Sequence, residues 1–329
     1  FFTKVTMKNF QKLGSLLWDA WCVLSVVGIW PRFIEPKLLQ LNNNTISISN
    51  LPQSFENFKI IHLTDLHLNP KTSDNFLKKI LKKVNILNPD LIVFTGDFLC
   101  FGQNFDVERL NEFLSKLQAP YGKYAIYGNH DYSHFVSVNE NGDYDVITKK
   151  SSSLTKGFAR LFSSIKVTGK MTTAAKNVSP HQALQNVLKK SGFKVLNNET
   201  IQIKKHDDFF NLTGLGEYMT GQCNPKLGFQ SYKDMYPGIV MSHNPDSISL
   251  LNNFPGNIIL SGHTHGAQVN LPIMWKKFML AENPQLKRGL YKQGNKSIFI
   301  NRGLGAVIPF RWFSLPEIVL HTLKRGSNE

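Results

Sequence analysis

The sequence predicts an α/β fold in which short buried strands alternate with amphipathic helices. Short apolar runs rich in Ile and Val, bounded by Gly, Asn or Ser, are typical of strands buried in a sheet. Such runs occur at residues 59–63, 91–94, 124–127, 238–241 and 257–260. With 329 residues and 42% hydrophobic content, the chain can bury one large core. Enzymes of this class and size often form a single domain.

Two stretches between the first strands have the spacing of amphipathic helices. In residues 76–87 the apolar residues Phe76, Ile80 and Val84 recur at helical spacing, while lysines occupy the other faces. Residues 107–117 repeat this pattern. An apolar stripe of this kind is typical of a helix that packs on a sheet. We therefore interpret both stripes as core contacts and not as part of a cofactor site.

A polar cluster follows each predicted strand. The clusters are Asp65-Leu66-His67, Gly96-Asp97, Gly128-Asn129-His130-Asp131, Ser242-His243-Asn244 and Gly262-His263-Thr264-His265. In open α/β folds, residues just beyond the carboxyl ends of neighbouring strands meet at one rim of the sheet. We therefore expect these clusters to converge on a single site.

The donor types in these clusters indicate a pair of metal ions. They offer two carboxylates, one amide oxygen and four imidazoles, from Asp65, Asp97, Asn129, His67, His243, His263 and His265. One ion is usually held by three or four protein ligands, so seven candidates favour two ions that share a bridging carboxylate. A lone Asp-x-His pair would more often be a turn, and only the combination is informative. By contrast, His62 lies inside the first predicted strand, and we interpret it as structural.

The same clusters resemble those of the calcineurin-like metallophosphoesterases, and the resemblance extends over roughly residues 58–323. It is strongest to the membrane-associated phosphodiesterase branch of that superfamily. The motifs that carry it are Thr64-Asp65-Leu66-His67, Gly96-Asp97-Phe98, Gly128-Asn129-His130-Asp131, Ser242-His243-Asn244-Pro245 and Ser261 to Gln268. The resemblance implies a sandwich of mixed β-sheets flanked by helices. One departure is Ala267, where that branch usually has glycine.

The resemblance also implies how the ligands divide between two ions. Asp65, His67 and His265 would hold one ion. The other ion would be held by Asn129, His243 and His263, and Asp97 would bridge the two. Oxygen and imidazole donors without thiolates suit Mn, Fe, Co or Zn, and they argue against a structural zinc site. We expect Mn as the resident metal, with Fe, Co or Zn as alternatives.

His130 and Asp131 are the candidate catalytic residues. Because His130 directly follows a candidate ligand, it would point to the opposite side of an extended backbone. There it could act as a general acid or as a donor to developing charge on the phosphoryl group. Asp131 could then fix the tautomer of His130. The alternative is that His130 packs beneath the loop and Asp131 caps a turn.

Two arginines near the end of the chain are candidates for binding phosphate. Arg302 precedes the Gly303-Leu304-Gly305 turn, and Arg311 lies in the segment that follows. A planar guanidinium group binds two phosphate oxygens at once, which lysine cannot do. The alternative for each arginine is a surface salt bridge.

The first 50 residues are predicted to associate with a membrane, and residues 51–329 to form the phosphoesterase domain. Residues 16–30 are almost wholly apolar and contain Trp18, Trp21 and Trp30, with lysines before them and Arg32 after them. A spanning helix needs about 20 apolar residues, so we expect a retained interfacial anchor. A secretory signal peptide is the competing interpretation, although no small-residue cleavage pattern follows.

An insertion at about residues 134–180 separates the Gly128 cluster from the next predicted helix. Its apolar residues between 154 and 165 fall on one helical face, and residues 146–180 contain many lysines and no acid. We interpret it as a basic amphipathic lid in which Phe158, Phe162 and Arg160 contact the substrate. The alternative is a disordered loop rich in Ser, Thr and Lys. A further apolar stretch, residues 271–280, could form another wall of the cleft.

These features together predict an enzyme that cleaves an acylated phospho-substrate at a membrane. The formal net charge of +15 favours a polyanionic partner such as an anionic membrane. Three scattered cysteines indicate a reducing compartment. Among calcineurin-like enzymes that act at membranes, the chain resembles the UDP-2,3-diacylglucosamine pyrophosphatases of lipid A biosynthesis. That resemblance implies a peripheral enzyme on the cytoplasmic face of the bacterial inner membrane, and we expect a monomer.

Two other functions remain open at this stage. One is a general membrane-associated phosphodiesterase, and the other is a metal-dependent nuclease. A nucleic-acid partner is not favoured, because the aromatic residues cluster within apolar runs and do not alternate with basic residues along a groove. A non-enzymatic adaptor would be expected to lack some of the ligands, and every ligand position is filled.

Overall fold

Two six-stranded β-sheets packed face to face form the centre of the fold, as seen in a computed structural model. The structure describes residues 2–100, 105–148, 165–308 and 310–326, and side chains from residue 12 onward. The expected sandwich of mixed sheets flanked by helices is confirmed. Each predicted strand forms within one or two residues of its predicted bounds.

The first sheet has the strand order β1-β14-β2-β3-β4-β7. Its strands are β1 (Gln40–Ile48), β2 (Lys59–Leu63), β3 (Leu91–Phe94), β4 (Lys123–Ala125), β7 (Phe193–Val195) and β14 (Glu317–Arg325). Strands β2, β3, β4 and β7 are mutually parallel, while β14 runs antiparallel to β2. The carboxyl ends of β2, β3 and β4 therefore lie at the same rim.

The second sheet has the strand order β12-β13-β11-β10-β9-β8. Its strands are β8 (Glu199–Lys205), β9 (Asp208–Gly214), β10 (Gly238–Met241), β11 (Ile258–Ser261), β12 (Gly289–Gln293) and β13 (Lys296–Ile300). The four inner strands are parallel and the two outer strands are antiparallel to their neighbours. A short two-stranded ribbon of β5 (Val136–Val138) and β6 (Tyr144–Val146) lies within the predicted insertion.

The helices cover the outer face of the first sheet. They are α2 (Asp74–Ile86), α3 (Val107–Ser115) and α5 (Gln182–Lys190), with the shorter α4 (Thr173–Lys176), α6 (Pro225–Gly228) and α7 (Trp275–Phe278) elsewhere. Both predicted amphipathic helices form, and α2 buries Leu77, Ile80 and Val84 as the spacing predicts. Its first turn is capped by the Ser73 side chain, which accepts a hydrogen bond from the Phe76 N–H.

Three buried clusters hold these layers together. One lies between the helices and the first sheet, and a second lies between the two sheets. In the second, Ile60 and Val93 of the first sheet share one apolar cluster with Met241 and Leu260 of the second. The third cluster packs on the far side of the second sheet. Because the core between the sheets is continuous, their rims are held side by side.

The amino-terminal segment is helical, and its side chains from residue 12 onward are largely exposed. It comprises α1 (Phe2–Leu24), a π-helical continuation (Ser25–Ile34) and a 3₁₀ turn (Glu35–Lys37). Within residues 12–37, an 18-residue window reaches a mean hydropathy of 1.6, so by length and composition this helix could cross a membrane. Residues 40–48 do not belong to this apolar segment, since they pair with β14 along the whole of β1.

Candidate active site

The predicted clusters come together where the rims of the two sheets meet. Asp65 and Asp97 follow β2 and β3 of the first sheet, and Asn129 follows β4. His243 and His263 follow β10 and β11 of the second sheet. All are buried or nearly so. The sandwich therefore supplies oxygen donors chiefly from one sheet and imidazoles chiefly from the other.

The first group of donor atoms comes from Asp65, His67 and His265. The Nε2 atoms of the two histidines are 3.0 Å apart. Asp65 Oδ1 lies 3.4 Å from His265 Nε2 and 3.7 Å from His67 Nε2. Donors bound to one ion at about 2.0 to 2.2 Å lie roughly 2.8 to 3.6 Å from one another. Two of the three distances fall in this range and the third, 3.7 Å, lies just beyond it, so a small inward movement of Asp65 or His67 would let the three atoms bind one ion.

The second group comes from Asn129, His243 and His263. The Asn129 Oδ1 atom lies 3.0 Å from His263 Nδ1 and 3.3 Å from His243 Nε2. Asp97 Oδ2 lies 3.3 Å from His243 Nε2 and 3.5 Å from His67 Nε2, so it faces both groups. This is the position that a bridging carboxylate would occupy.

Hydrogen bonds on the outer side of two rings fix which nitrogen faces inward. His243 Nδ1 donates to the Thr95 carbonyl at 2.6 Å, and His67 Nδ1 donates to the Leu99 carbonyl at 3.1 Å. In the neutral form each ring carries its one proton on Nδ1, so both Nε2 lone pairs point inward. There they face carboxylate and amide oxygens, which are also acceptors. These acceptors need positive charge between them, from protons on the imidazoles or from a metal ion, and the donor types fit a metal.

The charges inside the cluster also favour a cation at this place. Burial by itself lowers the pKa of His243, but the carboxylates of Asp97, Glu217 and Asp65 together outweigh it and hold that pKa well above its ordinary value. Burial likewise opposes the shift at Asp97, yet His243 and His130 keep the pKa of the carboxyl well below its ordinary value. The buried carboxylates therefore stabilise positive charge at this place.

The backbone is strained at the donors themselves. In the described chain, thirteen non-glycine residues have a positive φ, and five of them are Asp65, His67, Asp97, His263 and His265, with φ between 44° and 69°. The left-handed region costs a non-glycine residue of order 1 to 3 kcal/mol. Strain concentrated on neighbouring donors is typical of a functional site.

Two glycines allow the loops to approach this closely. A Cβ atom at Gly128 would lie 2.2 Å from Asp97 Oδ1, and one at Gly262 would lie 2.4 Å from Asp65 Oδ2. Neither position leaves room for a side chain. The Gly-Asn and Gly-His pairs in the sequence are therefore required by packing against the two carboxylates.

His130 faces the same cluster from the other side of its loop. Its Nδ1 donates to the Cys100 carbonyl, and its ring lies 4.6 Å from that of His67 in an edge-on arrangement. Burial lowers its pKa to about 3. A ligand atom of His130 also lies close enough to His67 and Asp97 to share an ion with them. The geometry thus permits either a proton-handling role or a ligand role.

Asp131 has different partners from those that the sequence suggested. Its carboxylate accepts hydrogen bonds from the N–H groups of Asp97, Phe98, Leu99 and Gly128 at 2.7 to 3.2 Å. The His130 ring is oriented by the Cys100 carbonyl instead. Burial and the charge of Asp97 raise the pKa of Asp131 to about 7. Asp131 therefore ties the Asp97 loop to the Gly128 loop.

The two candidate phosphate-binding arginines are engaged within the protein. Arg302 Nη2 lies 2.6 Å from Glu317 Oε2. The Arg311 side chain is buried and donates to the carbonyls of Ser314 and Arg302, both at 2.9 Å, and to that of Gly305. This geometry favours a supporting role for Arg311 over a phosphate clamp. The clamp stays a prediction for Arg302.

Phe158, Arg160 and Phe162 of the predicted lid lie outside the described residues. Next to them, Ile165 packs against the core beneath the first sheet. The third apolar stretch contains Ile273, which is 93% exposed and has a φ of 66°. Trp275 in the same stretch is half-buried, with the Lys287 ammonium 3.9 Å from its ring centroid.

Sequence reasoning missed the main-chain and remote partners of the donors. The carbonyls of Thr95 and Leu99 orient two imidazoles, but a carbonyl group leaves no signature in residue type. Glu35, which is buried against the loop beside His265, was missed as well. Its signal was an acid immediately after an apolar segment.

Residues 58–267 match the calcineurin-like phosphoesterase family. The chain belongs to that family and is a metal-dependent hydrolase of phosphoric esters and diphosphates. The match covers the loops that carry every candidate metal ligand.

Three relatives extend the comparison over most of the chain. It is 38% identical to the UDP-2,3-diacylglucosamine pyrophosphatase LpxG of Chlamydia muridarum, over 89% of this chain and 91% of that protein. It is 37% identical to the protein of the same name in Chlamydia trachomatis, again over 89% and 91%. It is also 30% identical to the uncharacterized metallophosphoesterase YkuE of Bacillus subtilis, over 90% and 89%.

Proposed function

We propose that this chain is a UDP-2,3-diacylglucosamine pyrophosphatase of lipid A biosynthesis. It would add water across the diphosphate to give UMP and 2,3-diacylglucosamine 1-phosphate. The observation that carries the proposal is the complete set of donors at the rim, in a chain 38% identical to a relative of that name. The likeness covers 89% of this chain, so it extends well beyond the metal motifs.

The proposed mechanism assigns roles to the residues at the rim. Asp65, His67 and His265 would hold one ion, Asn129, His243 and His263 would hold the other, and Asp97 would touch both. The ions, when bound, supply an activated water and polarise the phosphoryl oxygens. Manganese fits the mixture of oxygen and imidazole donors, and Fe, Co and Zn fit it too.

His130 would handle a proton on the leaving side. The Cys100 carbonyl holds Nδ1, and we assign the proton transfer to Nε2. An anionic phosphoryl group beside the ring would favour protonation there. The proton would then pass to the oxygen of the departing phosphate, or the N–H would donate to the charge that develops on it.

The amino-terminal helix would hold the enzyme at an anionic membrane. Trp18 and Trp21 are 66% and 55% exposed, and Trp30 is 40% exposed. Exposed tryptophans on a helix flanked by lysines suit the headgroup region of a bilayer. We propose peripheral attachment at the cytoplasmic face of the inner membrane, and a monomer. A variant lacking residues 1–24 should bind liposomes weakly and still hydrolyse detergent-dispersed substrate.

The function is tested by a product assay with added Mn²⁺. The panel comprises UDP-2,3-diacylglucosamine, the deacylated UDP-sugar, a small chromogenic phosphodiester and single-stranded DNA. We expect UMP and the sugar 1-phosphate from the acylated substrate at the highest efficiency. Equal efficiency on the deacylated UDP-sugar would exclude the lipid substrate and leave a general phosphodiesterase, whereas preference for DNA would indicate a nuclease.

The proposed lid is tested by changing Phe158 and Phe162 together to Ser. Burying a large apolar side chain contributes about 1.5 to 3 kcal/mol, so the double variant should lose activity on acylated substrate. Activity on the small chromogenic phosphodiester should persist. Equal activity on the acylated substrate would exclude a lid that shelters acyl chains. Arg160→Ala in the same assay tests the basic contact.

A further inference from the structure

Glu35 is a buried carboxylate at the base of the amino-terminal helix. Its side chain is 1% exposed and lies in the turn that follows the π-helical segment. Oε2 accepts a hydrogen bond from Trp30 Nε1 at 2.9 Å, and Oε1 accepts one from the Ser314 N–H at 2.6 Å. A carboxylate is rarely buried without such partners, because desolvation of the charge is costly. Its contacts therefore fix two parts of the chain to each other.

The second of those parts is the loop of residues 311–314. It is held to the amino-terminal segment a second time, since the Arg311 N–H donates to the Pro31 carbonyl at 2.8 Å. Arg311 Nη1 in turn donates to the Ser314 carbonyl at 2.9 Å. The loop is thus fixed on one side by Pro31 and Glu35.

The other side of this loop contacts His265. The Ser314 hydroxyl donates to the His265 carbonyl at 2.6 Å, and Arg311 Nη2 lies 3.3 Å from His265 Nδ1. The packing is close here, because a Cβ at Gly266 would lie 2.6 Å from the Ser314 hydroxyl. His265 itself has a φ of 51°, a conformation that needs support from its surroundings. A continuous series of contacts therefore joins Glu35 to a candidate metal ligand.

We propose that Glu35 is a positioning residue that holds His265 in place through the 311–314 loop. The end of the amino-terminal segment then supports the active site, in addition to connecting it to the proposed membrane anchor. This inference rests on the proposed metal centre. It predicts that the ion held by Asp65, His67 and His265 depends on Glu35, while the ion held by the second group does not.

The test is titration of Mn²⁺ into metal-free, full-length protein in detergent, in competition with a fluorescent chelator. Glu35→Gln keeps the shape of the side chain but cannot accept from both Trp30 and Ser314. Loss of a residue that orients a metal ligand typically lowers metal affinity about 10- to 100-fold. We expect that loss for one of the two ions and wild-type affinity for the other.

Glu56→Gln is the matched control. Glu56 Oε2 also accepts a backbone N–H, that of Arg325 at 2.6 Å, but at the end of β14 that lies away from the rim. The Glu56→Gln variant should bind both Mn²⁺ ions with wild-type affinity. Ser314→Ala removes the bond to the His265 carbonyl without touching Glu35, so it should weaken the same single ion. If Glu35→Gln does not fold, as judged by circular dichroism, Ser314→Ala decides the question in the same way.

The possible failures can be told apart. If the wild-type protein binds no Mn²⁺, the proposed metal centre is wrong. If the wild type binds two ions and Glu35→Gln binds both with unchanged affinity, only the positioning role is wrong. Equal weakening of both ions in Glu35→Gln would also overturn that role, because the contacts lead to His265 and, through Gly305, to Asp65, and both belong to the first group.

Discussion

The two halves of the candidate metal centre are supported in different ways. His243 is held directly by the end of a strand, since its ring donates to the Thr95 carbonyl just after β3. His265 lies in a strained turn and is supported by the 311–314 loop, which in turn contacts the amino-terminal segment. The position of His243 therefore depends on the ends of strands in the two sheets. The position of His265 depends on packing between segments far apart in the sequence.

Because the two halves are supported differently, most substitutions should weaken one ion and spare the other. Asp97 is the exception. Replacing Asp97 with Ala removes the oxygen that faces both groups. We expect loss of both ions and of measurable hydrolysis, with the fold retained. Elemental analysis and a turnover assay on the purified variant check this together. Two ions per chain with near-normal turnover would disprove the shared-ligand assignment.

His130→Ala tests whether His130 transfers a proton or binds a metal ion. We expect metal content to persist and turnover to fall roughly a hundredfold or more, the usual scale for a lost general acid. Unchanged turnover would return His130 to a packing role. A loss of metal along with activity would make it a ligand, which its closeness to His67 and Asp97 permits.

Replacement of the two arginines by lysine distinguishes support from substrate binding. Arg311→Lys cannot satisfy the carbonyls that the guanidinium now reaches, so it should weaken the ion beside His265 about tenfold. Arg302→Lys should spare both ions and, if Arg302 is a phosphate clamp, raise KM for the diphosphate. Metal titration and steady-state kinetics measure the two effects. A raised KM without any metal effect in Arg311→Lys would favour a clamp at that position instead.

The smallest expected effect concerns the turn after His265. Ala267 has a φ of 70°, which glycine adopts more readily than alanine. Ala267→Gly should therefore raise stability by about 0.5 to 1 kcal/mol, read as a higher Tm. The control is Ala175→Gly in helix α4, which should lower stability by a similar amount. A lower Tm for Ala267→Gly would show that the methyl group contributes packing here.

The sequence predicts the strands and the metal donors at their ends better than it predicts the contacts that support those donors. Short Ile- and Val-rich runs gave β2, β3, β10 and β11, and parallel strands bring the residues at their carboxyl ends together. The seven donors can therefore be placed at one rim from the sequence alone. Strand β1 was not predicted, because its Asn-rich sequence is partly exposed and it pairs with β14 at an edge of the sheet.

The supporting contacts could not be read from the sequence for a physical reason. Glu35 and Ser314 are 279 residues apart, and neither belongs to a motif. Asp131 was expected to orient His130, but a carboxylate beside a turn can equally accept backbone N–H groups, and here it does. Residue type identifies donors well, whereas the partners of those donors depend on tertiary packing.

The most direct test of the two-metal centre is a crystal structure of the Mn²⁺-loaded protein with anomalous diffraction data. We expect two manganese peaks about 3.5 to 4 Å apart. One should be bound by Asp65, His67 and His265, the other by Asn129, His243 and His263, with Asp97 between them. A single peak, or a peak bound outside these residues, would contradict the account.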